Sequence, residues 1–429
     1  ALLQPRLAAD SPFPTGFCHR RRELENGMVA YFLVNHSMET FETTLRLKGG
    51  SVEEWDLVTG ERCSLFYCRE GNVLSIPLSM PRCRSILLMV YPDSEAQPAA
   101  PEITHRWRKL DCRSDLRQED PNILLVDYLD LLVDGKTYED ISYLQAAELL
   151  FRHRGFNGNP WELSIQYKSR MLEKNDFGKG SGFTLRYHFQ ASESFVPGNL
   201  ILAAERPSLF TLQVNDRPIS WLENTNFLDR HMGCANIASV VRPGLNTVEL
   251  TASVFDITAE PEAICLRGNF SLEDHQNQWT LVPETTLSVG SLPGQGRPFY
   301  TGALVCETVF HAEADGESIR LLYPRLDANG CSIIVNGRFA GLAGVDGDSS
   351  LDLTPYLIPG ENRVTLRVSI GLRNLLGPHH MFENQRLSSR NTAFPAYWAQ
   401  MPRKGQPPAA AYDCLPYGIL EFPVLEIGE

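Results

Sequence analysis

Alternation of apolar and polar residues predicts short strands along most of this chain. From Val364 to Ile370, valine, leucine and isoleucine occupy every second position, and threonine, arginine and serine lie between them. A period of two is typical of a strand with one buried face. Similar segments, bounded by Gly, Pro, Asn and Asp, recur at the spacing expected of β-sandwiches. The pattern therefore predicts an all-β protein.

One unit of this pattern occurs twice. In the later copy, the strand CSIIV is followed by Asn336-Gly337, which favours a tight turn, and a Pro359-Gly360 turn then leads to the returning strand. In the earlier copy, Asn215 occupies the place of Asn336, and Pro243-Gly244-x-Asn246 precedes the returning strand. A repeat of this length is that of a domain, so the sequence predicts two copies of one β-sandwich.

A short helix is predicted between strands of the earlier copy. Thr137-Tyr-Glu-Asp140 fits a capping box, and apolar residues from Ile141 to Phe151 recur at helical spacing. Before it lies a long apolar run, Ile123 to Val133, interrupted by Asp127 and Asp130.

These patterns together predict three antiparallel β-sandwich domains. The expected boundaries are residues 1–98, 102–275 and 277–429, with a Pro- and Ala-rich linker near residue 100 and the helical insertion in the second domain. The strand, Asn-Gly turn and Pro-Gly-x-Asn step also resemble galactose-binding-like jelly rolls. The last two domains are therefore expected to have that fold.

Composition excludes several classes of partner. The chain has 429 residues, 43% of them apolar, and a formal net charge of −13. Nucleic acid and anionic membranes need basic surfaces, so neither is an expected partner. No apolar run is long enough to span a membrane, and the first residues lack the layout of a signal peptide, which predicts a cytoplasmic location. Ten cysteines without any CxxC predict free thiols.

The order of the motifs resembles a known family. FCHRRRELENGMVAYFLVNHS, GGSVEEWDLVTGE, the two repeated units, GRPFYTGALVCETVF and GLRNLLGPHH follow one another here as in bacterial glycoside hydrolases of the α-L-rhamnosidase type (family 106 and its relatives), downstream of the catalytic barrel. The resemblance covers nearly the whole chain from His19 onwards, and it implies an ancillary β-domain assembly. Because the family carries its hydrolytic carboxylates on the barrel, the resemblance implies no autonomous hydrolysis.

Carboxylates are the first candidates for chemistry, because glycoside cleavage usually needs two of them. Glu53 and Glu54 are adjacent in a predicted strand, so they point to opposite faces and do not form a pair. Asp127 and Asp130 interrupt an apolar run, which fits either a functional site or buried, hydrogen-bonded side chains. No catalytic pair is identifiable from the sequence.

Candidate binding residues cluster after the last long strand. Sugar recognition uses aromatic faces together with planar polar groups, and a contact with a catalytic barrel would use similar side chains. Trp279, in contrast, is expected to anchor a core. The predicted site, for carbohydrate or for a domain contact, comprises Arg373, Asn374, His379, His380, Tyr397 and Trp398.

A metal site is a weaker interpretation. Asp346, Asp348 and Asp352 form an oxygen-rich segment that fits a loose structural Ca²⁺ site, although the position that would hold the EF-hand glutamate is Leu357. A plain turn is the alternative. No other cofactor is predicted.

Three functions are consistent with these observations. The leading one is a carbohydrate-binding and scaffolding portion of a rhamnosidase-like glycoside hydrolase, without its barrel. The second is a glycoside hydrolase with an active site between sandwiches, and the third is a structural or oligomerising module. The expected partners are a carbohydrate or a catalytic barrel domain, with a homo-oligomer as a further alternative.

Overall fold

The computed structural model describes residues 7–24, 27–37, 39–57, 60–81, 84–94, 98–99, 106–162, 169, 172–275, 278–313, 318–343, 350–377, 379–380 and 412–428. This part of the chain is mostly β, as the alternating pattern predicts. All its strand pairs are antiparallel except one short parallel pairing, in which Gln190 and Ala191 lie beside Thr280 and Leu281. Its buried apolar residues form three separate clusters, and the strands around each cluster are called a module below.

The first module contains nine strands around the N-terminal cluster. They are β1 (Leu7–Ala9), β2 (Phe17–Glu23), β3 (Val29–Asn35), β4 (Phe41–Lys48), β5 (Ser51–Trp55), β6 (Arg62–Ser64), β7 (Cys68–Glu70), β8 (Val73–Met80) and β9 (Ser85–Tyr91). Two sheets, of order β1-β4-β8-β7 and β2-β3-β9-β5-β6, share this core. Strand β4 shows why they pack together, since Phe41, Leu45 and Leu47 are buried and the residues between them are more exposed.

Two further strands, β10 (Trp107–Lys109) and β11 (Arg113–Gln118), precede the second module. That module contains β12 (Asn122–Val126), β13 (Tyr128–Val133), β14 (Lys136–Ser142), helix α1 (Tyr143–His153), β15 (Phe183–Ala191), β16 (Leu200–Glu205), β17 (Thr211–Val214), β18 (Arg217–Ile219), β19 (Asn226–Phe227), β20 (Asp229–Asn236), β21 (Gly244–Ala252), β22 (Ile264–Gly268), β23 (Ser271–His275) and β24 (Gln278–Val282). Its two main sheets have the orders β12-β22-β16-β20-β19 and β14-β13-β15-β21-β17-β18, and β24 joins β15 to β23. Their inner faces bury the largest of the three clusters.

The third module contains β10, β11 and the C-terminal elements. These are β25 (Gly302–Ala312), β26 (Ser318–Leu322), β27 (Leu326–Asp327), β28 (Gly330–Val335), β29 (Arg338–Ala343), β30 (Ser350–Asp352), β31 (Gly360–Ile370), the single-turn helix α2 (Arg373–Leu376), β32 (Gly418–Ile419) and β33 (Val424–Gly428). Its sheets have the orders β11-β25-β31-β28-β29 and β10-β33-β26-β30, beside the short pair β27-β32. Short 3-10 turns of the second and third modules lie at Pro160–Glu162, Pro207–Leu209, Pro293–Gln295 and Thr354–Tyr356.

The predicted internal repeat is confirmed by the side-chain hydrogen bonds of two asparagine pairs. Asn215 and Asn336 both have φ of 49°, which the first residue of a tight hairpin turn requires. The Nδ2 of Asn215 donates to Oδ1 of Asn246 at 2.8 Å, and the Nδ2 of Asn336 donates to Oδ1 of Asn362 at 2.7 Å. Asn246 and Asn362 also stabilise the Pro-Gly turn that precedes each of them, because their side chains hydrogen-bond to backbone groups two and four residues earlier. Equivalent strands then pair in the same order, β15-β21-β17-β18 and β25-β31-β28-β29.

The predicted helix exists, but its predicted cap is wrong. Ser142, not Thr137, caps α1, because its hydroxyl accepts from the N–H of Gln145 while the Gln145 side chain accepts from the N–H of Ser142. Thr137 and Asp140 lie in β14 instead. Residues 137–140 resemble a helix cap locally, but β14 pairs with β13 along this segment, so the segment is part of a hairpin.

The long apolar run does not form one strand. Residues 122–126 lie in one sheet of the second module, and residues 128–133 lie in the opposite sheet. Asp127 is the single residue between them, and it is 4% exposed. The run is therefore the point at which the chain crosses from one sheet to the other, with a carboxylate at the crossing.

Strand pairing does not follow the sequence order of the modules. Trp107–Lys109 and Arg113–Gln118 fall within the predicted second domain, yet they pair with β33 and β25 of the third module. Gln278–Val282 falls within the predicted third domain, yet it pairs with strands of the second module. The domain boundaries drawn from the sequence stay predictions, and these crossed pairings join the two modules.

The described cysteines are free thiols, as expected from their spacing, and Cys83 lies outside the described residues. Several of them, such as Cys234 and Cys306, are fully buried in strands. Within the described ranges, no helix is both long and apolar enough to cross a membrane.

Candidate functional site

A pocket of about 690 Å³ lies where the second module meets the segment around residues 380 and 412. Its floor is the outer face of one sheet of the second module, because Tyr128 and Asp130 of β13 alternate with the inward side chains of that strand. His188 on the adjacent strand β15 and Trp279 on β24 extend the surface. We call this cavity the Asp130 pocket.

The first polar group of the pocket is built on Asp127. Its Oδ2 accepts from Nε2 of His380 at 2.8 Å, and its Oδ1 accepts from the hydroxyl of Tyr412 at 2.8 Å. The backbone oxygen of Asp127 also accepts from the N–H of Tyr143, which ties the crossing point to the start of α1. Both carboxylate oxygens therefore hold the third module's C-terminal segment against the second module.

Aromatic rings surround this carboxylate. The rings of His380 and Tyr412 lie 4.5 Å apart, and Tyr128 meets His380 edge-on at 5.2 Å. Phe299 packs against Tyr412 at 4.9 Å. Burial, reinforced by the charge of Asp127, raises the pKa of Tyr412 well above its usual value, so this hydroxyl remains a hydrogen-bond donor.

The second polar group is built on Asp130. Its Oδ2 accepts from Nε2 of His188 at 3.0 Å, and its Oδ1 accepts from the backbone N–H of Asp140 at 2.9 Å. The other nitrogen of His188 lies 3.3 Å from the hydroxyl of Thr247. Asp140 has a φ of 49° next to an irregular register between β13 and β14, which turns its N–H towards the pocket. Two carboxylate–imidazole pairs thus face one cavity.

Trp279 packs against the core of the second module, as predicted, but the core is only part of its surroundings. Its ring packs edge-on against Phe299 at 5.7 Å, but it also lines the Asp130 pocket. Its indole N–H is buried and has no acceptor among the described residues.

The predicted residues after β31 occupy several different positions. Arg373 pairs with the carboxylate of Asp413 at 2.7 Å, and Asn374 binds both backbone groups of Leu415 at 2.8 Å. These contacts hold the segment that begins at residue 412 against α2. A role for Arg373 and Asn374 in ligand binding stays a prediction.

His379 and His380 point to different surroundings. His379 is buried, and its Nε2–H donates to the backbone oxygen of Asn374 at 3.0 Å. Burial lowers the pKa of His379 to about 4, so its imidazole is neutral near pH 7. Only His380 of the two lines the pocket. Tyr397 and Trp398 lie outside the described residues.

The predicted metal residues are only partly described. Asp346 and Asp348 lie outside the described residues, whereas the carboxylate of Asp352 accepts from the N–H of Thr354 at 2.9 Å and begins a 3-10 turn. In the ranges that the structure describes, no group of three or more His, Cys, Asp or Glu residues is arranged to hold a metal ion.

A second acidic region, which the sequence analysis does not predict, lies around Glu262 in the second module. Glu260 accepts from the side-chain amide of Asn159, and burial raises its pKa. Burial together with the nearby charges of Glu260 and Glu205 raises the pKa of Glu262 to about 8. Within the described residues, this region does not line the Asp130 pocket.

Comparison with known proteins gives a limited result. No protein-family model matches the sequence, and no curated protein matches it. Solved structures that resemble it include a rhamnosidase from Novosphingobium sp. PP1Y, which is 12% identical with a TM-score of 0.23 over 62% of this chain and 25% of that one. An α-L-rhamnosidase from Streptomyces avermitilis, solved with L-rhamnose, is 12% identical with a TM-score of 0.25 over 85% and 36%.

A β-D-mannosidase from Dictyoglomus thermophilum is 13% identical with a TM-score of 0.23 over 59% of this chain and 31% of that one. The chain thus spans about a third or less of the length of these glycoside hydrolases. Its β-rich modules share a low structural similarity with them.

Proposed function

We propose that the Asp130 pocket binds a carbohydrate. On this proposal, the chain is the carbohydrate-binding and scaffolding portion of a rhamnosidase-like glycoside hydrolase, and its second and third modules are galactose-binding-like jelly rolls. The observation that carries the proposal is the convergence of two carboxylate–imidazole pairs and an aromatic wall on one cavity.

The chemistry of the cavity suits a sugar. Ring hydroxyls both donate and accept hydrogen bonds, and the pocket presents carboxylate acceptors at Asp127 and Asp130 beside imidazole groups. Trp279 and Tyr128 offer aromatic surface for the apolar face of a ring. A volume of about 690 Å³ is also within the range of small-ligand sites.

The same contacts favour binding over hydrolysis. Each of the two carboxylates already has both oxygens engaged, by His380 and Tyr412 at Asp127 and by His188 and Asp140 at Asp130. A glycosidase needs one carboxyl group free to donate a proton and a second free to attack or to activate water. Carboxylates held in this way are fixed acceptors, which is what a binding site requires.

The test is calorimetric titration of the chain with neutral monosaccharides and short oligosaccharides, L-rhamnose among them. His188→Ala and Asp130→Asn should each weaken binding by at least about tenfold, because the first removes a polar group that faces the cavity and the second removes the carboxylate that holds this group in place. His311→Ala is the matched control, since His311 is an exposed histidine on β25, the equivalent strand of the third module.

Two results would contradict the proposal. One is equal affinity in His188→Ala, Asp130→Asn and wild type, with folding of each variant checked by circular dichroism. The other is sustained hydrolysis of an aryl α-L-rhamnoside that Asp130→Asn abolishes, which would establish the hydrolase alternative.

A further inference from the structure

The Asp130 pocket has an unbalanced charge. Three carboxylates line it, those of Asp127, Asp130 and Asp140, together with the imidazoles of His188 and His380. No Lys or Arg is among its described lining residues. Even with both imidazoles protonated, the lining carries a net negative charge.

Two arginines outside the lining, Arg186 and Arg373, do not offset this charge, because each pairs with a carboxylate of its own. Arg186 lies directly across the strands from Asp130, and its guanidinium pairs with Glu249 at 2.6 Å. Arg373 on α2 pairs with Asp413, whose side chain is 4% exposed. The cavity is therefore bounded by compensated ion pairs while its own lining remains acidic.

The carboxylate of Asp140 adds negative charge to the pocket, although the contact between Asp140 and Asp130 does not use it. Its backbone N–H, not its carboxylate, makes the contact with Asp130. Its φ of 49° suits Asn as well as Asp, because both tolerate the left-handed region. The carboxylate is exposed at the rim of the cavity, so its effect on a ligand is electrostatic.

We propose that the Asp130 pocket selects its sugar by charge. It takes neutral sugars and amino sugars and excludes sugars that carry a carboxylate, and Asp140 supplies a large part of this discrimination. This inference rests on the carbohydrate function proposed above.

The experiment compares matched ligands that differ in charge at one position. Methyl glucoside and methyl galactoside are titrated against their uronate counterparts and against the 2-amino sugars, at low salt and pH 7. A unit charge about 8 Å from one carboxylate, at an effective dielectric constant of about 40, changes affinity roughly fivefold. Each uronate should therefore bind at least about fivefold more weakly than its neutral partner, and each amino sugar at least as tightly as that partner.

Asp140→Asn tests the residue. It keeps the backbone and the shape, so the neutral sugar should bind as before while the ratio of neutral to uronate affinity narrows roughly fivefold. Asp216→Asn is the matched control, because Asp216 is an exposed turn aspartate with φ of 63° outside the pocket. Raising the salt concentration should also reduce the ratio of neutral to uronate affinity in the wild type, because salt screens the charge of the carboxylates.

The outcomes separate the two proposals. A uronate that binds as tightly as its neutral partner, or an Asp140→Asn ratio equal to that of Asp216→Asn, overturns selection by charge and leaves carbohydrate binding in place. Absence of binding by every neutral and amino sugar overturns carbohydrate binding, and selection by charge fails with it.

Discussion

Replacing Asp127 by Ala should release the C-terminal segment from the second module. Asp127 is the sole residue between two sheets, and its carboxylate accepts from His380 and from Tyr412. Those donors are 253 and 285 residues away in sequence. The substitution therefore removes a long-range contact without altering the strands on either side.

The magnitude follows from burial. The side chains of Asp127 and His380 are 5% and 13% exposed, so water has little access to the donors that would lose their hydrogen bonds. Removing one partner of a buried pair costs about 3–5 kcal/mol, a range that includes the unsatisfied donors left behind. We expect a local loss of about 4 kcal/mol for Asp127→Ala, and about half of that for Asp127→Asn, which keeps one acceptor.

Hydrogen exchange is the suitable assay, because a protein with several modules need not unfold in one step. Peptides from residues 122–133 and 412–428 should exchange roughly 10³-fold faster in Asp127→Ala. Glu119→Ala is the matched control. It removes another long-range carboxylate, but the Glu119–Arg367 pair is 33% and 50% exposed and should contribute less than about 1 kcal/mol.

The refuting result is specific. If Asp127→Ala and Glu119→Ala show the same protection in residues 412–428, the Asp127 contacts do not hold the segment. Peptides from the first module, such as residues 41–48, provide the internal reference and should be unchanged in both variants.

Two further predictions concern stability. Asn246→Ala and Asn362→Ala should each lower the free energy of unfolding by about 3 kcal/mol, because each buried side chain makes several hydrogen bonds. Hydrogen exchange should rise only in the second module for Asn246→Ala and only in the third module for Asn362→Ala, and equal effects in both modules would contradict the separate cores. His379 has a folded-state pKa of about 4, which is below its pKa in the unfolded chain, so the unfolded state binds a proton more readily. The free energy of unfolding should therefore fall by about 3 kcal/mol in total as the pH falls from about 6.5 towards 4. Denaturant titrations should show a smaller pH dependence for His379→Gln than for wild type, and an identical slope would refute this assignment.

The sequence by itself determined the strands and the repeat, because both are local. A period of two specifies which face of β31 is buried, and an Asn with φ above zero specifies the hairpin turn at Asn336. The same local signals recur at Asn215, so one unit could be recognised twice. Patterns of this kind are read within about ten residues and need no knowledge of the rest of the fold.

Local sequence patterns did not determine the start of helix α1 or the full surroundings of Trp279. The sequence predicts a cap at Thr137, but pairing of β14 with β13 continues through Ser142, so helix α1 is capped there instead. Trp279 in an apolar strand is typical of a core anchor, and only the pairing of β24 with β15 places its ring beside the pocket as well.

Only the tertiary structure decided the site. Asp127 and Asp130 interrupt an apolar run, and His380 follows the last long strand, but nothing in either segment specifies the other. They meet because the chain crosses between sheets at Asp127, while Arg373 and Asn374 bring the segment after residue 412 back to the same place. Contacts across more than 250 residues depend on the packing of whole modules, which periodicity along the chain does not encode.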